Sequence, residues 1–222
     1  VVGFGDMEED ITPACDIEKG ETVAILDVSE KPFDPPITCM NLNELNVGNQ
    51  EPTAHMHSHR GYVHDGQGFV YQGPDTQFTD VPICIFFAET EIGIYRLDYY
   101  GAMISKFSYP GATFVHQGWI SEDFTTLYAN DEADEECRSG YFDYCSEYEG
   151  GSAQPITRIF DISSLEKPGE AREFVNTRPH PSIDHNMYVK DGHISMVRFS
   201  QWDSPEIIPI WYDPKVLGRI NL

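Results

Sequence analysis

The sequence predicts an all-β fold, a β-propeller-like array of about four blades, and three observations carry that expectation. The 18 Gly and 15 Pro are scattered along the chain and leave few uninterrupted windows for helices. Four segments share an apolar run that ends in Asp: VAILDVS (23–29), GIYRLDY (93–99), ITRIFDIS (156–163) and IIPIWYD (207–213), with Asp27, Asp98, Asp161 and Asp213 in register. Three histidines, His64, His116 and His185, each open a pair of strand-like runs between those segments.

Each Asp-ended run is followed by Pro or Gly and then by another short strand, PITCMNLN, MISKFSY, AREFVN or VLGRINL, which makes a hairpin repeated four times. The units between the hairpins begin HDGQGFVYQG, HQGWIS and HNMYVKD, and continue PICIFFAE, TTLYANDE and HISMVRFS. The order in a unit is therefore His, strand, strand, strand with Asp, strand, about the content of one four-stranded blade. Complete blades are expected over 64–109, 116–174 and 185–222. Residues 1–45 offer only VVGFG, VAILDVS and PITCMNLN, an incomplete fourth blade without its innermost strand. The whole span 1–222 reads as one domain with insertions at 41–61 and 132–154. A circular array often closes by borrowing a strand from the other terminus; no such donor is visible, so the array reads as part of a larger propeller. A β-sandwich is the rival architecture, but sandwich strands need no recurring sequence.

Charge narrows the partners. With 37 Asp+Glu against 14 Lys+Arg the net charge is −23, which argues against nucleic acid and anionic membranes and favours a cation as guest. At 40% hydrophobic and 13% aromatic the chain is too apolar for a disordered acidic tail. No run approaches the length of a membrane span, and Val1 opens directly in a strand-like segment with no signal-like leader. Of the five cysteines, Cys137 and Cys145 flank a short Gly-, Ser- and Tyr-rich loop and are expected to be bonded to each other, which favours an oxidising, exported setting. Cys15, Cys39 and Cys84 are left unassigned. No N-x-S/T sequon is present to support glycosylation.

The segments HDGQGFVYQGPDT, HQGWISEDFTTLYANDEADE and SIDHNMYVKDGHISMVRFS resemble the choice-of-anchor B family, whose LVIVD repeats carry strands ending in Asp, Val or Ile, then Ser or Thr before a Pro. The resemblance covers most of residues 20–200. It implies a propeller-like module that is exported and tied to a cell surface by varied C-terminal devices, with no activity attached to the repeat. The second repeat departs from the pattern, reading RLDYYGAMIS.

Candidate chemistry centres on His64, His116 and His185, which sit at equivalent positions before the first strand of three blades. First strands line a propeller's channel, so the three imidazoles would face one axis and could bind a divalent metal, with Asp65 and Asp184 as carboxylate ligands or as partners that fix the imidazole tautomer. The competing structural reading, a histidine that pins each blade's turn, is favoured by the repetition itself. The acidic run NDEADEE brings Asp131, Glu132, Asp134 and Glu135 together and could supply calcium ligands, although it lacks the spacing of an EF-hand. HMHSH puts His55, His57 and His59 on one face of an extended chain, in what reads as a polar loop. Trp119, Trp202 and Trp211 read as blade core.

No nucleophile elbow, H-E-x-x-H, P-loop or dinucleotide fingerprint is present. The sequence therefore favours a non-enzymatic, extracellular or cell-surface binding and scaffold module that takes a protein or carbohydrate ligand, with calcium or zinc as its cofactor. The alternative is a metal-dependent hydrolase or lyase that uses the histidine cluster at the channel. Imidazole nitrogens converging in one metal shell would favour the enzyme, and separate bonds to each blade's own turn the scaffold.

Overall fold

Alternation of apolar residues, broken by Gly, Pro and Asp, produces short strands joined by tight turns. A computed structural model of the chain describes residues 2–3, 15, 21–26, 37–42, 63–88, 90–98, 101–112, 114–132, 156–175, 183–199 and 208–211. These residues form four antiparallel sheets. The first contains β1 (Val2–Gly3), β2 (Glu21–Leu26) and β3 (Ile37–Asn41), and the second β4 (Asp65–Val70), β5 (Pro82–Ala88), β6 (Glu91–Arg96) and β7 (Ala102–Phe107). The third contains β8 (Val115–Ile120), β9 (Thr126–Asp131), β10 (Ile156–Asp161) and β11 (Arg172–Val175), and the fourth β12 (Ile183–Lys190), β13 (His193–Phe199) and β14 (Ile208–Trp211). Every sheet is a meander in sequence order. One turn of 3-10 helix, Thr76–Phe78, interrupts the β4–β5 connection. Among the described residues no helix is long and apolar enough to cross a membrane.

The insertions expected at 41–61 and 132–154 fall almost wholly outside the described residues, as do Asp134, Glu135, Cys137, Cys145 and the HMHSH segment.

Two of the repeated Asp residues, Asp98 and Asp161, fall among the described residues. Asp161 accepts the backbone N–H of Ser163 (2.8 Å), and Asp98 takes the Arg96 guanidinium on both oxygens at 2.8 Å. The β12–β13 connection is the two-residue Asp191–Gly192, both with positive φ, as a hairpin turn of this length requires.

The core lies between sheets, and the PICIFFA run of β5 explains why it is continuous. Its odd positions, Ile83, Ile85 and Phe87, join Ile92 and Ile94 of β6 against Val115, Ile120, Leu127, Ala129 and Phe160 of the third sheet. Its even positions, Cys84, Phe86 and Ala88, join Tyr95 against Val23 and Met40 of the first sheet. A strand covered on both faces needs no polar alternation, which is why this run reads as uniformly apolar.

Polar side chains fasten the first strands to one another, and β8 packs against both β4 and β12. Gln67 of β4 accepts the Ile120 N–H of β8 (2.9 Å). Gln117 of β8 does more: Oε1 accepts the Met187 N–H (2.8 Å), and Nε2 donates to the Met187 carbonyl (3.0 Å) in β12. The recurring Gln-Gly-aromatic triplets 67–69 and 117–119 thus carry the links from the second sheet to the third and from the third to the fourth.

Two cysteines left unassigned by the sequence, Cys15 and Cys39, form a disulfide across 24 residues at the first sheet. Cys84 is a buried thiol, and burial pushes its pKa up to about 12.

Candidate metal centre

Of the three histidines expected just before first strands, only His64 stands there; His116 lies inside β8 and His185 inside β12, each at an irregularity of pairing. His64 lies immediately before β4, where its N–H donates to the Phe87 carbonyl (2.9 Å) of β5. In β8 the pairing slips between Val115, opposite Asp131, and Gln117, opposite Asn130. His116 is the extra residue of this bulge. A bulge bends its strand and re-aims a side chain, and such features gather beside functional sites. β12 slips in the same way between Asp184, opposite Arg198, and Asn186, opposite Val197, with His185 as the extra residue. The sequence repeat at these two histidines is therefore a repeat of backbone geometry.

Glu132 follows the last residue of β9, and its N–H donates to the Phe114 carbonyl (3.0 Å) at the entry to β8. That bond holds the end of one strand beside the start of its neighbour and brings three donor groups together. His116 Nε2 lies 3.4 Å from Glu132 Oε2. The His64 and His116 rings are 4.3 Å apart between centroids, tilted by 42°. One ligand atom each from His64, His116 and Glu132 lies within 4.8 Å of the others, so the group could hold a metal ion. Phe114 meets His64 edge-on at 5.0 Å and supplies an apolar wall. His116 is buried while His64 and Glu132 are partly exposed, so the group has a protected back and an open front.

The donor set suits a divalent transition metal, zinc or non-haem iron among them, better than calcium. Two imidazoles and a carboxylate are ligands for zinc, and bond lengths of about 2.0 to 2.2 Å in a tetrahedral shell put ligand atoms about 3.4 Å apart. The His116 to Glu132 separation already matches that edge. Calcium takes six to eight oxygens, which a single carboxylate cannot supply.

The other residues singled out by the sequence are distributed as follows. Asp65 accepts the N–H of Gly66 (2.7 Å), and burial raises its pKa against the lowering effect of that bond. It does not belong to the converging group. Asp184 and His185 have their backbone in β12, and their side chains lie outside the described residues. Asp131, read in the sequence as a candidate calcium ligand in the acidic run, is fully buried and accepts the Tyr109 hydroxyl and the Phe114 N–H.

Glu132 was grouped with its acidic neighbours in the sequence, not with the histidines. The available signal was the β8–β9 hairpin register: strands meeting at Ile120 and Leu127 carry His116 and Glu132 back to the same end. Set against known protein families and curated proteins, the chain matches no family model and no curated protein.

Proposed function

We propose that the chain is an exported binding module whose four sheets are arranged radially, in keeping with its resemblance to LVIVD-repeat, choice-of-anchor B proteins, and that a divalent ion of the zinc type clamps the second sheet to the third. The observation that carries this reading is the convergence of His64 with His116 and Glu132, because the first belongs to one sheet and the other two to the next. An ion bound there joins the two sheets at the entry of their first strands, and loops around that rim are the surface offered to a protein or carbohydrate ligand. The Cys15–Cys39 disulfide and the net charge of −23 support an extracellular or cell-surface setting.

A second reading rests on the same three ligands. Three protein donors leave one tetrahedral position open, the arrangement in which zinc acidifies a bound water, so a metal-dependent hydrolase or lyase is the alternative.

The test is metal analysis of the purified protein after chelation and re-equilibration with Zn2+, beside a His116→Ala variant. The expected result is about one ion per chain in the native protein, and a variant that loses metal while its metal-free melting temperature stays near the native value. Full metal content in a His116→Ala protein with a depressed melting temperature would overturn the metal reading and leave the histidine as a structural pin.

A further inference from the structure

We infer that Asp131 is the positioning residue of the His64, His116 and Glu132 centre, an inference that rests on the metal reading above. Asp131 is 0% exposed although it is a carboxylate beside the partly open Glu132. Its two oxygens take different partners. Oδ2 accepts the Tyr109 hydroxyl at 2.7 Å, and Oδ1 accepts the Phe114 N–H at 3.1 Å. Tyr109 in turn lies under the Arg158 guanidinium, 4.8 Å from ring centroid to Cζ, and Arg158 is itself buried. A positive group on the ring face and a negative one at the hydroxyl make Tyr109 the link between two buried charges.

The consequence falls on Phe114, two residues before the bulge residue His116. Its N–H is held by the Asp131 side chain and its carbonyl by the Glu132 N–H (3.0 Å), so one dipeptide grips both sides of this residue. A bulge leaves its extra residue outside the regular ladder, and ladder bonds alone do not set where that residue sits. The Asp131 to Phe114 bond supplies the missing constraint. Without it a single bond, from the Glu132 N–H to the Phe114 carbonyl, is left to resist relaxation of the β8 entry towards unbulged pairing, and a one-residue slip turns a side chain to the opposite face. The 3.4 Å approach of His116 to Glu132 depends on that not happening.

The experiment compares Zn2+ affinity, measured by competition with a chromophoric chelator, and the visible absorption of the Co2+-loaded protein, across the native chain, Asp131→Ala, Asp131→Asn and Tyr109→Phe. Native protein should bind Zn2+. Asp131→Ala, folded by circular dichroism in the absence of metal, should bind about 10- to 100-fold more weakly, with an altered Co2+ spectrum. Asp131→Asn keeps an acceptor for the Phe114 N–H and lets the Tyr109 hydroxyl accept in turn, so it should restore affinity towards native. Tyr109→Phe should weaken binding by a smaller factor. A folded Asp131→Ala protein with native affinity and spectrum overturns the inference while leaving the metal reading intact. Native protein that binds no Zn2+ overturns the metal reading itself. If Asp131→Ala does not fold, Tyr109→Phe decides, and unchanged affinity there overturns the positioning role.

Discussion

Replacing Gln117 by Met tests whether side-chain amides hold the third and fourth sheets together. Met has similar length and volume but cannot bond, so the change leaves packing nearly intact and removes two hydrogen bonds to Met187, at 2.8 and 3.0 Å, and a third to the Gly118 carbonyl at 3.1 Å. Gln117 is 3% exposed and Met187 0%, so water has poor access to the Met187 N–H and C=O once the amide is gone. Each lost bond is worth about 0.5 to 1.5 kcal/mol, and a buried group left unpaired adds about 1 to 3 kcal/mol. Partial relaxation at the strand edge brings the net loss to about 2 to 4 kcal/mol. For a chain of this length that is a fall in melting temperature of about 5 to 15 °C. Urea unfolding followed by tryptophan fluorescence and far-ultraviolet circular dichroism, with chelator present to remove any contribution from metal, measures the change. Gln67→Met is the internal control, since Gln67 accepts a single bond, from Ile120, and should lose about a third as much. A loss below about 0.5 kcal/mol for Gln117→Met, or equal losses for the two variants, would refute the view that these amides are the fasteners.

Two further outcomes are expected. A Cβ at Gly118 would stand 2.6 Å from the Phe87 ring and closer still to the Tyr128 carbonyl, so Gly118→Ala should destabilise by about 1 to 3 kcal/mol in chemical denaturation, with His116, two residues away, displaced. In the β8–β9 turn the Ser121 hydroxyl, then Thr125, bonds the Asp123 carboxylate and holds its pKa below the ordinary 3.8. A depressed carboxylate stabilises the fold while ionised, so its contribution is complete above the unfolded value and fades as pH falls through the folded one. Asp123→Asn should therefore lower stability at neutral pH and flatten the acid limb of the stability curve below about pH 4, and an unchanged acid limb would contradict the assignment.

The strands and their grouping were legible in the chain because they depend on local information. Period-2 alternation, Gly and Pro at the turns and the Asp that closes each third strand act within a few residues, so β4 to β11 could be drawn from sequence. That β5 is covered on both faces came from the structure, which packs the two sides of PICIFFA against different sheets. What the tertiary structure decided depends on register and on contacts between sheets. Glu132 joins His116 because a bulge in β8 shifts the pairing by one residue and aims the imidazole at the neighbouring strand's end. His64 joins them because the first strands of adjacent sheets pack side by side. Asp131 read as one more calcium-ligand candidate in an acidic run, yet it is buried, with Tyr109 and the Phe114 N–H converging on it from the β7–β8 connection. The pairing of Cys15 with Cys39 has the same origin: a disulfide needs its Cα atoms about 4.4 to 6.8 Å apart, the structure holds them at 5.6 Å, and no spacing along the chain states that distance. A residue's neighbours along a strand can be read from its own segment; its neighbours across sheets are set by how separate segments pack, and the candidate metal centre is built from those.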